Sequence, residues 1–170
     1  MFTLALLIGI YSYSIYFLGL IGILYSPLII IWTIAFILGS TYYYRFSINQ
    51  SLKNLSLPKF KKKDSFIILL VIILAVQIVV NLIGALGPEL SFDALWYHLT
   101  LPKLYLSHHT IMHIPGGLLY YSDMPKLIEM IYTGALSFGM PILPKVIHLF
   151  FGILTVVVLY KKFGSLEQPQ

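Results

Sequence analysis

The sequence predicts an all-α integral membrane protein of about five transmembrane or re-entrant helices, with an interfacial amphipathic helix in an external loop. Of its 170 residues, 59% are hydrophobic and only 10% are charged, and the mean hydropathy is +0.90. Soluble globular domains carry roughly a quarter charged residues, so composition favours the membrane class. The chain has no cysteine, which excludes disulfide frameworks and thiolate metal sites.

The first two helices are predicted from an uncharged stretch that ends at Tyr44. One helix of that length would measure about 66 Å, whereas the hydrocarbon core of a bilayer is about 30 Å thick. The stretch therefore predicts a hairpin, with the break near Pro27 and spans at residues 2–24 and 27–44. A basic region and a cleavage site are both missing from the start, which favours a retained anchor over a cleaved signal.

A basic loop, residues 45–64, separates this hairpin from a third predicted span at residues 65–87. The loop contains six of the eleven basic residues. The next segment, residues 88–125, has three acids and four of the five histidines but only one basic residue, Lys103. Positive charge favours the cytoplasmic side, so the loop and the N-terminus are predicted to be cytoplasmic in a multi-pass plasma-membrane protein. The position of the loop between apolar spans argues against nucleic-acid binding.

Two further helices are predicted after the external segment. Residues 126–140 are apolar but barely long enough to cross the membrane, and Pro141 separates them from a fifth span at residues 142–160. A crossing by the fourth segment would place Lys161 and Lys162 on the external side, against the charge rule. A re-entrant fourth segment is the alternative, and the sequence leaves both open.

The external segment opens with the stretch GPELSFDALWYHLT, which predicts a short helix beginning at Pro88. Helical spacing gives this stretch one apolar and one acidic face. Such a helix is expected to lie along the interface, with its apolar face in lipid. The apolar face comprises Phe92, Leu95, Trp96 and Leu99, and the other comprises Glu89, Asp93, Tyr97 and Thr100.

Asp93 has two interpretations. A carboxylate near a helix start caps free backbone amides and complements the helix dipole, which is the commoner role. It could instead act as a general base at the membrane surface, where Glu89, four residues earlier, would raise the pKa of one of the two carboxylates by like-charge repulsion.

Several other polar residues carry open alternatives. His98 and Lys103 are ordinary interfacial side chains or phosphate contacts. His109 and His113 have the spacing of a metal pair if their stretch is helical. Glu129 lies inside an apolar segment, where an ionisable group is costly and faces an interior or a cavity. Its partner is predicted to be His148, which is otherwise simply interfacial.

Three stretches together resemble the start of the multispanning GT-C glycosyltransferases: GPELSFDALWYHLTLPKLYL, IPGGLLYYSDMPKLIEMIYTGAL and KVIHLFFGILTVVVLY. This superfamily includes the protein mannosyltransferases, the lipid A aminoarabinose transferases and the rhizobial galacturonosyltransferase-like group. The resemblance covers residues 83–160. In these enzymes an acidic residue lies just outside an early transmembrane helix, and Asp93 matches that position.

The resemblance implies sugar transfer from a polyprenyl-phosphate donor to a hydroxyl of a glycan, lipid or protein acceptor, with Asp93 as general base. It implies no particular metal ligand and leaves a divalent metal open. Family members are much longer and have one span before this arrangement, not three, so residues 65–170 are expected to be an incomplete N-terminal part. The candidate substrate-binding residues are Glu89, Tyr97, His98, Lys103, His108, Asp123 and Glu129.

Two other functions remain open at this point. The chain is alternatively a non-catalytic scaffold or accessory subunit whose external loop binds a partner or lipid headgroups. A weaker alternative is a metal-handling protein that uses the histidines of the external segment.

Overall fold

The computed structural model describes residues 2–53 and 65–164. Within these two ranges the fold is entirely helical, and no strand occurs. The elements are α1 (Phe2–Leu20), α2 (Ser26–Lys53), α3 (Ser65–Leu86), a π-helix (Ala94–His98), α4 (Thr100–His108), a 3-10 helix (Gly117–Asp123), α5 (Leu127–Leu136) and α6 (Ile142–Gly164).

Helices α1 and α2 form the predicted antiparallel hairpin. Tyr11 hydrogen-bonds Thr33 at 2.8 Å, and the Trp32 indole donates to Ser14 Oγ at 2.8 Å. The later residue of α1 pairs with the earlier residue of α2, as expected for two antiparallel helices. The second span ends close to the predicted residue 44, because the apolar part of α2 runs to Arg45, although the helix itself continues to Lys53. The rest of the predicted basic loop, residues 54–64, lies outside the described residues.

Residues 109–111, which follow α4, hold the turn between α1 and α2. Its backbone passes through Gly22, whose φ of 76° favours glycine. The Leu24 amide donates to the His109 carbonyl at 2.9 Å, and the Ile111 amide donates to the Gly19 carbonyl at 3.1 Å. The His109 ring stacks on Tyr25 with centroids 4.0 Å apart. These contacts attach the start of the hairpin's second helix to a segment far along the chain.

Helices α3 and α6 pack against each other as a second pair. The Lys145 ammonium, in the first turns of α6, donates to the carbonyl of Gly87, just past the end of α3. The start of α6 therefore lies beside the end of α3, and α6 returns toward the end where α3 begins. Residues 161 and 162 are carried to that same end, so the predicted conflict with the charge rule does not arise.

Helix α5 corresponds to the predicted fourth span. It has ten residues, about 15 Å of helix, which is half the thickness of a hydrocarbon core. It packs mainly against α1 and α4 and is also in contact with α6. Seven of its residues are buried, including Glu129 and Gly134. Helix α5 is thus a short buried helix inside the bundle.

The main core lies where α1, α2, α4 and α5 meet. Its fully buried members are Ile15, Leu24, Ile29, Leu101, Tyr105 and Met130. The outer surfaces of the long helices are apolar and exposed, as shown by Ile31 at 69% and Phe66 at 66% exposure. Helices α1, α2, α3 and α6 are each long and apolar enough to cross a membrane. An all-helical membrane protein is what the sequence predicts, and the described residues support it with four such helices.

Candidate functional site

The helix that carries Asp93 includes a π-helical stretch, whereas the sequence predicts a regular α-helix. It begins at Phe92, becomes a π-helix, and passes through a turn at Leu99 into α4. The Leu99 amide bonds to the Ala94 carbonyl at 2.9 Å, five residues back. A π-turn changes which side chains share a face, and Leu99 departs from the predicted apolar face: it is buried, whereas Phe92 is 71% exposed. Pro88 and Glu89 precede the helix and do not begin it.

The side chain of Asp93 is exposed at the start of this helix. It makes no capping hydrogen bond, so the capping interpretation finds no support in the geometry. Glu89 is the residue that binds backbone amides: its Oε1 accepts from Leu90 at 3.1 Å and from Ser91 at 2.8 Å. The prediction that Glu89 and Asp93 share a helical face is wrong, because Glu89 lies in the irregular stretch before the helix.

Three tyrosine rings form a column next to Asp93, here called the tyrosine stack: Tyr97, Tyr121 and Tyr120. The Tyr97 and Tyr121 rings are 4.0 Å apart and nearly parallel at 8°. The centroid of the Tyr120 ring lies 4.1 Å from that of Tyr121, and the two ring planes are inclined by 27°. Trp96 packs edge-on against Tyr121 at 5.2 Å and donates its indole N–H to the Leu118 carbonyl at 2.7 Å. The 3-10 helix is thereby fixed against the π-helix.

The hydroxyls of this stack are electrostatically linked to Asp93. Partial burial raises the pKa of Tyr97, and the negative charges of Asp93 and Glu129 raise it further. The hydrogen bond with Tyr120 is the largest cause that raises the pKa of Tyr121 to about 12, and Asp93 contributes again. Both phenols are therefore neutral O–H groups at neutral pH. Asp93 precedes Tyr97 by four residues in the same helical stretch.

Glu129 is buried at 5% exposure, and its Oε1 lies 2.8 Å from His98 Nδ1. Its other oxygen, Oε2, has no hydrogen-bond partner among the described residues, and the same is true of the buried Tyr105 hydroxyl. Burial, and then the charge of Glu129, raise the pKa of Tyr105 to about 12. The predicted partner His148 is wrong, because it bonds the Tyr132 hydroxyl at 3.1 Å. The interior position predicted for Glu129 agrees with its burial.

A cleft of about 390 Å³ lies between the end of α3 and the start of α6, and Leu95 of the π-helix also lines it. Most of its walls are apolar. Its charged side chains are two cations, Lys103 and Lys145, and one anion, Glu89. Its apolar lining includes Leu86, Leu95, Leu99 and Ile142.

The remaining candidates lie apart from the cleft. Asp123 pairs with His113 at 2.9 Å on the surface, and His108 is exposed in the last turn of α4. His109 and His113 do not form the predicted helical metal pair, since α4 ends at His108 and the chain beyond it is irregular. Within residues 2–53 and 65–164 no three His, Asp or Glu side chains come together as a metal cluster.

Sequence reasoning missed Lys145, Tyr120 and Tyr121. Lys145 could have been found by the rule applied to Glu129, because it is a lone charge near the start of an apolar span. The two tyrosines follow a Gly116-Gly117 turn, and Gly116 has a φ of 99°. That turn folds the segment back onto the π-helix, and the pairing of rings across it has no short-range signal in the sequence.

Comparison of the chain with protein-family models, with curated proteins and with solved structures gives no match.

Proposed function

We propose that the chain is a GT-C type membrane glycosyltransferase, or the N-terminal part of one, which moves a sugar from a polyprenyl-phosphate donor to an acceptor hydroxyl. One observation supports this most. An exposed carboxylate, Asp93, lies in the sequence between Glu89 and Leu95, and both of these residues line an apolar cleft. The cleft also contains two lysines, Lys103 and Lys145. A base and an apolar cleft with cationic groups are the two sites that such a reaction requires.

The cleft suits the donor's phosphate and the first part of its lipid chain. Lys103 and Lys145 supply N–H donors and positive charge, and charge-assisted hydrogen bonds to phosphate are stronger than neutral ones. The apolar lining suits the prenyl chain next to the phosphate. Glu89 binds backbone amides through its Oε1, and its charge moderates the positive field of the two lysines.

In the proposed reaction, Asp93 accepts the proton of the acceptor hydroxyl as that oxygen attacks the anomeric carbon. The new C–O bond forms as the bond to the phosphate oxygen breaks, and the lipid phosphate leaves with the electron pair. The configuration at the anomeric carbon is inverted. The departing phosphate gains negative charge, which the two lysines stabilise.

The proposal includes an orientation of the chain in the plasma membrane. The external segment contacts the α1–α2 turn, the end of α3 and the start of α6. With the basic residues 45–64 cytoplasmic, these helix ends are external and the N-terminus is cytoplasmic. The helix that carries Asp93 then lies at headgroup depth, where the phosphate of a lipid-linked sugar is found.

The test measures sugar transfer from polyprenyl-phosphate sugars in membranes of cells that express the chain. We expect Asp93→Asn to lose transfer while inserting and folding normally, and Asp93→Glu to retain part of it. Lys145→Met should raise the donor KM, whereas Lys126→Met, a lysine outside the cleft, should not. Transfer at the normal rate by Asp93→Asn would reject Asp93 as the base.

A second candidate function is an accessory subunit. It is favoured by one observation: Gln77 and Asn81 bond each other at 3.0 Å on an exposed face in the middle of α3. Polar side chains in a span commonly bond across to another helix. This function predicts that Asp93→Asn has no effect, whereas Gln77→Leu with Asn81→Leu reduces accumulation of the chain in membranes.

A further inference from the structure

The outer end of the tyrosine stack is open. Tyr121 has a ring on each face, Tyr97 on one and Tyr120 on the other. Tyr120 stacks on Tyr121 alone among the described rings, and the side chain is 47% exposed. Packing within the chain thus leaves a flat aromatic surface at the end of a rigid column.

Polar groups border this surface. The phenol groups of Tyr120 and Tyr121 belong to rings stacked 4.1 Å apart, and Asp93 lies four residues before Tyr97 in the same helical stretch. Interaction with the Tyr120 side chain, and then burial, raise the pKa of Tyr121 to about 12, so its phenol is protonated at neutral pH. The surface therefore offers an aromatic ring, neutral hydroxyls that donate and accept, and one anionic acceptor.

A sugar ring has matching chemistry. Its flat face carries C–H groups that pack on an aromatic ring, whose face has a partial negative charge, and its edge carries hydroxyls for the phenols and the carboxylate. We propose that the tyrosine stack binds a saccharide, and that the acceptor of the reaction is therefore a glycan. This assignment of the acceptor rests on the proposed function, because it places an acceptor hydroxyl toward Asp93.

The charges around the stack indicate which sugars fit. Four carboxylates are in the same segment or pack against it: Asp93, Asp123, Glu129 and Glu89, whose Oε1 accepts from the Leu90 and Ser91 amides. His98 is engaged by Glu129 and His113 by Asp123, which leaves Asp93 without a histidine partner in the described chain. A uronic acid would bring a like charge toward Asp93, which disfavours it. The site is expected to take an uncharged ring.

Trp96 provides the readout, because it packs against Tyr121. The chain has two tryptophans, so a Trp32→Phe background isolates its fluorescence. The full chain in detergent is titrated with uncharged methyl glycosides (a hexoside, an N-acetylhexosaminide and a pentoside) to tens of millimolar, and with the uronate counterpart of the hexoside. We expect saturable quenching by at least one uncharged glycoside, and at least tenfold weaker binding of the uronate, about 1.4 kcal/mol.

Two variants separate stacking from other effects. Tyr120→Ala should abolish the saturable change and Tyr120→Phe should retain it. Tyr13→Ala is the matched control, since Tyr13 is a comparably exposed tyrosine in α1, and it should have no effect. Absence of saturation with every uncharged glycoside, or saturation that survives Tyr120→Ala, would overturn the proposal and leave these rings as an interfacial aromatic belt.

The two proposals fail in different ways. Saccharide binding that depends on Tyr120, together with normal transfer by Asp93→Asn, rejects the catalytic role and keeps the saccharide site. Transfer that depends on Asp93, with no saccharide response at Trp96, rejects the saccharide site and keeps the transferase.

Discussion

Replacement of Gly134 by alanine tests the close packing of α5 on α1. A Cβ at this position would lie 3.0 Å from Tyr11 Cζ and nearer still to its hydroxyl, so the tyrosine must move. Overpacking of this kind costs about 1–3 kcal/mol. Movement also strains the Tyr11–Thr33 hydrogen bond, worth about 0.5–1.5 kcal/mol, while alanine recovers up to about 1 kcal/mol of helix propensity. We expect a net loss of about 1–3 kcal/mol in the free energy of unfolding.

The measurement is unfolding of the purified chain by SDS in mixed micelles, followed by circular dichroism. Gly152→Ala is the control, because nothing lies within 4 Å of a Cβ placed there, and it should be neutral or slightly stabilising. Tyr11→Phe removes the obstructing oxygen. The effect of Gly134→Ala should therefore shrink in that background, an interaction revealed by a double-mutant cycle. Equal effects at Gly134 and Gly152, or no interaction with Tyr11→Phe, would refute the packing of α5 on α1.

Three further predictions concern polar and aromatic contacts. Glu129→Gln should lower the free energy of unfolding by about 1 kcal/mol, the difference between a charge-assisted and a neutral hydrogen bond to His98; an unchanged value in the SDS titration would contradict the pair. The pKa of Tyr105 is raised from 10.0 to about 12 in the folded chain, so the stability it contributes is intact below pH 10 and is lost as pH rises from 10 toward 12. Tyr105→Phe should lose less stability than the wild type over that interval, and identical alkaline unfolding curves would argue against burial of the phenol. His109→Ala should cost about 0.5–1.5 kcal/mol through loss of its stack on Tyr25, and Tyr25→Leu should add little to it; full additivity of the two losses would rule out the stack.

The long helices were predictable because hydrophobic length is a local property. The uncharged run that ends at Tyr44 is too long for one span, and Pro27 falls in the first turn of α2 as expected. The end of α2 was not predictable in this way. The apolar run sets the length of the span but not that of the helix, and residues 46–53 contain no proline or glycine that would stop α2 before Lys53.

The site was less predictable because its contacts join distant segments. The burial of Glu129 was anticipated, but its partner His98 is 31 residues away, and the choice between His98 and His148 depends on how α5 packs. The periodicity of the sequence does not indicate the π-helix, because a regular spacing of 3.6 residues per turn puts Glu89 and Asp93 on one face. Lys145 enters the cleft only because α6 begins beside the end of α3.

The contacts of residues 109–111 with the α1–α2 turn have a consequence for the order in which the chain folds. The contacts of His109 with Leu24 and of Thr110 with Gly19 join positions 85 and 91 residues apart. During synthesis the hairpin is therefore made and inserted long before the segment that closes over it. Residues 109–111 then pack against a hairpin that is already in place, in keeping with N-terminal units folding first. Replacement of α1 and α2 by another membrane anchor would therefore also require a change in residues 109–111.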